Sequence, residues 1–218
     1  MVSVSEDHTL ALDSNSKLYA WGSNSYGQLG YETDSEYNNI PEQILSSEVK
    51  RAQIIGISSS KIHSLAFSDS SIFFWGLNIG QFGALSNSKA IKYKSRRNAM
   101  VQNSPLKLPI SYGPIKQVFA LEFATCVLTQ AGDIHIYMNS FHARIVPPSS
   151  ASEFNNNTGR LGRFDMFEPQ RVSAKSTIRK ISGKGNFIGL LYENGYVVTF
   201  SLDEAWSSAS HLISSVEY

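Results

Sequence analysis

His63-Ser64-Leu65-Ala66-Phe67, the turn Ser68-Asp69-Ser70-Ser71 and the run Ile72-Phe73-Phe74-Trp75-Gly76 decide how this chain folds. The same phrase stands 55 residues earlier as His8-Thr9-Leu10-Ala11-Leu12, Asp13-Ser14-Asn15-Ser16 and Lys17-Leu18-Tyr19-Ala20-Trp21-Gly22. Each copy runs on into a glutamine held between glycines, Gly27-Gln28-Leu29-Gly30 in one and Gly80-Gln81-Phe82-Gly83 in the other. Self-similarity at a fixed period marks a repeat architecture, in which a unit buries its apolar face only against its neighbours.

Working outward, the phrase returns twice in weaker form. Thr125-Cys126-Val127-Leu128, the turn Gln130-Ala131-Gly132-Asp133 and Ile134-His135-Ile136-Tyr137 keep the frame, with Tyr137 in the tryptophan position. Phe187-Ile188-Gly189-Leu190-Leu191, the turn Glu193-Asn194-Gly195 and Tyr196-Val197-Val198-Thr199-Phe200 keep it again. Pro41, Pro105 and Pro169 recur at 64-residue intervals and give the same count. Four units are expected, approximately 1–50, 51–114, 115–174 and 175–218.

Each unit reads as short strands joined by turns. Asp, Ser, Asn and Gly fill the connections, and Asn194-Gly195 is a hairpin dipeptide because both residues accept positive φ. Gln53 to Ile57 is expected to be a further strand before His63, and Glu42 to Leu45 an outer strand opened by Pro41, where no donor is lost. No helical period persists over a dozen residues, although Leu202 to Ile213 could form a turn or two of helix. The fold class is all-β, and antiparallel units of this size suit propeller blades.

The repeated residues have structural reasons to recur. Trp21, Trp75, Tyr137 and Phe200 close the inner strands and can fill the wedge between neighbouring sheets. Gly22, Gly27, Gly30, Gly76, Gly80 and Gly83 permit tight loops. His8 and His63 stand at equal phase beside a hydroxyl residue, which favours a blade-to-blade hydrogen bond over a ligand role. Gln28 and Gln81 are expected to tie loop backbone in the same way.

Composition bounds the function. The charged fraction of 17 % beside 42 % apolar residues indicates an ordered chain. No apolar run approaches the roughly 20 residues of a membrane span, and the first twelve residues lack a secretory pattern. The single cysteine, Cys126, excludes an internal disulfide and fits a reducing, intracellular compartment, cytoplasmic or nuclear. Enzyme patterns fail: there is no Gly-x-Ser-x-Gly elbow, no phosphate loop, and no metal-binding spacing among the five histidines. No catalytic residue, cofactor or metal is therefore expected. The net charge of +1 hides an asymmetry. Residues 1–50 hold eight acidic and two basic side chains, whereas Asp69 to Glu122 encloses Lys89, Lys92, Lys94, Arg96, Arg97, Lys107 and Lys116 without an acid between. That cluster reads as a solvated loop or as a basic contact face; its run Lys92 to Arg97 also has the composition of an import signal. Its lone aromatic, Tyr93, argues against stacking on nucleic acid or a chromatin role.

The pattern of His-Thr/Ser-Leu-Ala, polar turn, aromatic-Trp-Gly and Gly-Gln-Leu/Phe-Gly resembles the regulator of chromosome condensation repeat, well over residues 8–45 and 52–84 and loosely over 115–138 and 167–201. The motif Gly76 to Gln81 and the degraded later units look most like the propeller region of inhibitor-of-Bruton-tyrosine-kinase-type BTB proteins. The resemblance implies a seven-bladed propeller, here an incomplete ring of about four blades. It also implies protein partners: either a small GTPase of the Ran type, for which the propeller is a nucleotide-exchange factor, or the machinery of a cullin ubiquitin ligase that it serves as an adaptor. The chain departs from the family where Ser5 and Ser60 replace glycine, where Ala124 and Phe187 replace histidine, and where an insert spans Ser140 to Thr158 ahead of Gly159 to Gly162. A non-catalytic recognition module is the favoured reading, with contacts from loops 23–40, 84–114 and 139–166. Tyr26, Tyr31 and Tyr37 as exposed aromatics, with Arg96 and Arg97, are the candidate contact residues.

Overall fold

The computed structural model describes residues 1–81, 89–93, 96–108, 113–138, 141–145, 177–185, 187–195, 197–202 and 214–215. They form four antiparallel sheets. β1 (Val2–Val4), β2 (His8–Leu12), β3 (Leu18–Ser23) and β4 (Tyr37–Gln43) make the first. A short helix, α1 (Ser47–Ala52), leads to the second sheet of β5 (Gly56–Ser59), β6 (His63–Phe67), β7 (Ile72–Asn78), β8 (Lys89–Tyr93) and β9 (Arg96–Lys107), ordered β5-β6-β7-β9-β8. The third holds β10 (Ile115–Ala120), β11 (Ala124–Thr129), β12 (Ile134–Met138) and β13 (Phe141–Ile145). The fourth holds β14 (Ile178–Lys184), β15 (Phe187–Tyr192) and β16 (Val197–Ser201).

Period-two alternation distributes each strand's side chains between two neighbours. Leu10, Leu12, Leu18 and Ala20 of the first sheet pack on Ala66, Phe73 and Trp75 of the second. The opposite face of the second sheet, Leu65, Phe67, Ile72 and Phe74, packs on Val118, Val127 and Tyr137 of the third. Cys126, Leu128, Ile134 and Ile136 then turn the other way, onto Ile181, Ile188 and Leu190 of the fourth. Three cores of this kind hold the sheets face to face around an axis lined by β1, β5, β10 and β14. Sheets two and three, covered on both faces, carry strands buried at every position, such as β7 and β11. The first sheet buries one face alone, so β2 and β3 alternate between buried and half-exposed residues.

The prolines occupy a repeated bulge. Ala20 faces Glu42 and Gly22 faces Asn38, so Asn39, Ile40 and Pro41 share the space opposite Trp21. Phe74 faces Leu106 and Gly76 faces Gln102, so Asn103, Ser104 and Pro105 share the space opposite Trp75. A bulged outer strand needs no amide donor there, which is where proline fits. Pro41 therefore lies inside its strand and does not open it.

Other expectations require correction. The strand foreseen from Gln53 to Ile57 begins at Gly56, because Ser47–Ala52 is helical. Ser46 caps that helix by accepting a 3.3 Å bond from Val49 N–H, and Gln53, at φ 51°, stops it. Loop 84–114 contains the hairpin of β8 and β9. The insert from Ser140 opens with β13, which pairs Phe141 with Met138 across a two-residue connection. Residues 214–215 (β17), within the stretch read as the fourth blade, pair with β13 at the edge of the third sheet. The stretch 203–213, the Gly159 to Gly162 loop and Pro169 lie outside the described residues.

Candidate protein-interaction surface

The repeated polar residues meet at the blade junctions. His8, almost fully buried at the start of β2, places Nε2 2.7 Å from Ser64 Oγ in the second sheet. Ser64 donates its proton to Gln28 O at 2.8 Å, so the imidazole carries its own proton on Nε2 and donates. Trp75 Nε1 donates to the same carbonyl at 2.9 Å. Gln28 O thus takes two bonds from the next blade, while the Gln28 side chain accepts from Tyr26 N–H at 2.8 Å and shapes its own loop. Gly30 lets that loop lie flat on the indole: a Cβ there would sit 2.7 Å from Trp75 Nε1, and its φ is +77°. Gly22, Gly27, Gly76 and Gly80 also have positive φ, and Gly83 lies outside the described residues.

The second junction differs. His63 Nδ1 lies 2.8 Å from Ser60 Oγ and 3.2 Å from Gln81 Nε2, an amide donor, so Nδ1 is the acceptor and Nε2 bears the proton. Thr125 holds the Ser64 position, since both stand opposite the closing aromatic of their hairpin. His63 Nε2 and Thr125 Oγ1 are nevertheless both buried without a hydrogen-bond partner among the described residues. Gln81 Nε2 reaches the third blade instead, donating to Glu122 O at 3.2 Å. Burial lowers the His8 pKa to about 4 and that of His63, which also feels His8, to about 3, so both imidazoles are neutral at ordinary pH. The Cys126 thiol is pushed up to about 12 by its burial, which leaves it unreactive.

A polar seam along the axis was missed by sequence reasoning. Ser3 Oγ and Ser59 Oγ stand 2.8 Å apart, linking β1 to β5. Ser58 Oγ accepts from Ala120 N–H at 2.9 Å, linking β5 to β10. Gln117 brackets Ile181, accepting from its N–H at 2.9 Å and donating to its carbonyl at 2.8 Å, so β10 is linked to β14. The only signal available was small polar residues at matching phase before each His position, too common a pattern to single out. At the axial mouth, Lys61 donates to Glu6 at 2.7 Å and holds that carboxyl below its usual range, with Lys184 adding to the effect.

With the repeat residues committed to junctions, the loops carry the outward surface. Tyr37 is 58 % exposed and available for contact. Tyr26 and Tyr31, expected as exposed aromatics, are half-buried: Tyr26 packs on the Ile62–Leu77 cluster, and Tyr31 donates to Ala20 O at 3.2 Å. Trp21, expected as a wedge, is also half-exposed because its face of the first sheet meets no other described sheet, whereas Trp75 and Tyr137 are buried. The Phe200 side chain is outside the described set. Arg96 and Arg97 begin β9, and Lys89 and Lys92 lie on β8, so four of the seven cations stand on one hairpin at the outer edge of the second sheet, whereas Lys107 ends β9 and Lys116 lies on β10 of the third sheet. Among the described residues, no helix is long and apolar enough to cross a membrane.

This is a β-propeller of the regulator of chromosome condensation type, an incomplete ring with four blade-like sheets among the described residues. The model of that repeat matches residues 2–28, and the fold agrees with the crystal structure of Prp20p from Saccharomyces cerevisiae at a TM-score of 0.59, 20 % identity, 92 % of this chain and 44 % of that one. The chain carries a repeat of this kind and is similar in particular to BTB proteins that carry such propeller regions. BTB/POZ domain-containing protein 1 of Schizosaccharomyces pombe is 27 % identical over 207 residues, 92 % of this chain and 14 % of that protein. Inhibitor of Bruton tyrosine kinase of Xenopus laevis is 26 % identical over 137 residues, 62 % of this chain and 10 % of that protein. The chain thus spans a small part of the length of either relative.

Proposed function

We propose that these blades are a non-catalytic recognition module, the partner- or substrate-binding part of a larger adaptor such as a BTB protein serving a cullin ubiquitin ligase. The observation that carries this reading is that the buried imidazoles, glutamines and Trp75 are spent on holding blades and loops together, while Tyr37 stays exposed and the basic residues stand on the outermost strands of the second sheet. The similarity to two BTB proteins over most of the chain supports it. An intracellular setting, cytoplasmic or nuclear, accords with the buried, unreactive Cys126.

Two measurements test it. The polypeptide carrying these blades should co-purify with a cullin from the cells that express it, and proteins ubiquitinated in its presence should lose that mark when Arg96 and Arg97 are both changed to glutamate. A ubiquitination pattern that ignores those changes counts against the reading. The second reading, nucleotide exchange on a Ran-type GTPase, is favoured by the fold shared with Prp20p, a protein studied for binding to Gsp1p and histones. Fluorescent GDP release from Ran should stay within about twofold of its intrinsic rate when the chain is added; acceleration beyond about tenfold, some 1.4 kcal/mol off the barrier, would establish exchange instead.

A further inference from the structure

We infer that β8 is a docking strand for an extended, acid-rich segment of a partner protein, which pairs along the edge that faces away from β9 and is attracted by the positive charge that the sequence places on the β8–β9 hairpin. The inference rests on the recognition reading and deepens it by naming the chemistry of what is recognised. Its first ground is topological. The second sheet is ordered β5-β6-β7-β9-β8, so β8 has β9 on one side and, among the described residues, no strand on the other. Its pairing is regular from Lys89 with Val101 to Ile91 with Ala99 and shifts register before Tyr93 with Arg96, so the regular edge able to continue the sheet runs over Lys89, Ala90 and Ile91. An edge of this kind presents unpaired amides and carbonyls, the complement of a peptide backbone and not of a phosphate chain.

The second ground is charge. Lys89, Lys92, Arg96 and Arg97 stand on the two strands of one short hairpin, and the sequence places no acid from Ser70 to Leu121. Lysine on an edge strand discourages a second copy of the same strand from pairing, because like charges would be brought together. The same charges favour a strand that brings carboxylates. The third ground limits where that strand can lie. A cleft of about 590 Å³ beside Asn103, further along β9, is lined by Tyr31, Glu32, Thr33 and Asp34 from the first blade. An acidic segment is repelled there and attracted at 89–97, so the field sets its position along the hairpin. A single aromatic in the cluster, Tyr93, gives little for stacked bases, which disfavours single-stranded nucleic acid.

The test uses the full chain and a fluorescein-labelled dodecapeptide alternating glutamate with valine. Four comparators carry the same label: its glutamine analogue, two forms N-methylated at alternate residues in opposite phases, and a twelve-nucleotide oligothymidylate. Anisotropy titration should show the acidic peptide binding at least tenfold more tightly than the glutamine analogue. One methylated phase should lose that binding and the other retain it, as pairing through one edge of an extended strand requires. R96E/R97E should weaken the peptide at least tenfold, and so should Ile91→Pro in β8, with the circular dichroism and urea midpoint of each variant confirming a folded chain. Equal binding by both methylated forms, or tighter binding by the oligonucleotide, would overturn strand docking. If the peptide fails while ubiquitination still depends on Arg96 and Arg97, this inference falls and the recognition reading stands.

Discussion

Ser64 and Thr125 occupy the same place in successive blades, and the difference between them is a hydroxyl with partners against one without. Removing the Ser64 hydroxyl strands a buried imidazole N–H, which costs about 1–3 kcal/mol. Removing the Thr125 hydroxyl strands nothing, since neither it nor His63 Nε2 has a bond to lose. Ser64→Ala should therefore destabilise by about 1–3 kcal/mol, and Thr125→Val should be neutral within about 0.5 kcal/mol or stabilising. Urea unfolding of the two variants measures both. Equal losses would mean that the second junction is bonded as the first is. Sequence shows the matching phase of His8 and His63 and of the hydroxyl residues facing each closing aromatic. It does not show which junction closes, because hydrogen bonding between blades depends on how neighbouring sheets sit, which residue type does not encode.

Strands were legible where alternation or continuous apolar runs spanned them. Phe73-Phe74-Trp75 is apolar at consecutive positions, as a strand buried on both faces demands, while Leu18-Tyr19-Ala20-Trp21 keeps its small or aliphatic residues on one face. The helix Ser47–Ala52 was missed because six residues cannot display a 3.6-residue period; its cap, Ser46, was the available sign. The hairpin β8–β9 was missed because lysine and arginine mask strand alternation on an outer edge. The wedge role of Trp21 failed for a different reason: burial of a repeat residue depends on the next sheet, not on its own strand. From this follows a contrast between equivalent positions. Trp75→Ala should cost about 3–5 kcal/mol, the range for a buried tryptophan, and Trp21→Ala less than half as much. In the same proteins, acrylamide should quench Trp21 emission and spare that of Trp75, as single Trp→Phe replacements would reveal. Equal quenching would place Trp21 under a covering surface.

Across the whole molecule, the neutral histidines at the junctions couple the stacking of blades to pH. In the unfolded chain each imidazole takes up a proton near its ordinary value of 6.5, while the folded protein resists to about 4 at His8 and about 3 at His63. Because the folded values are depressed, this contribution is complete above pH 6.5 and is lost as pH falls, down to the folded values. By pH 5 each residue should have given up about 2 kcal/mol. Glu6, whose pKa is also lowered, acts in the same direction, but it is fully exposed and matters only in more acidic solution. The urea midpoint should therefore drop between pH 7.5 and 5.0. His8→Gln and His63→Gln should each remove about half of that slope, since glutamine can donate from a similar place without titrating, and the double variant most of it. Should the double variant keep the parent's full pH dependence, the histidines would have to be hydrated in the folded state, and the dry junctions on which the blades depend would not exist.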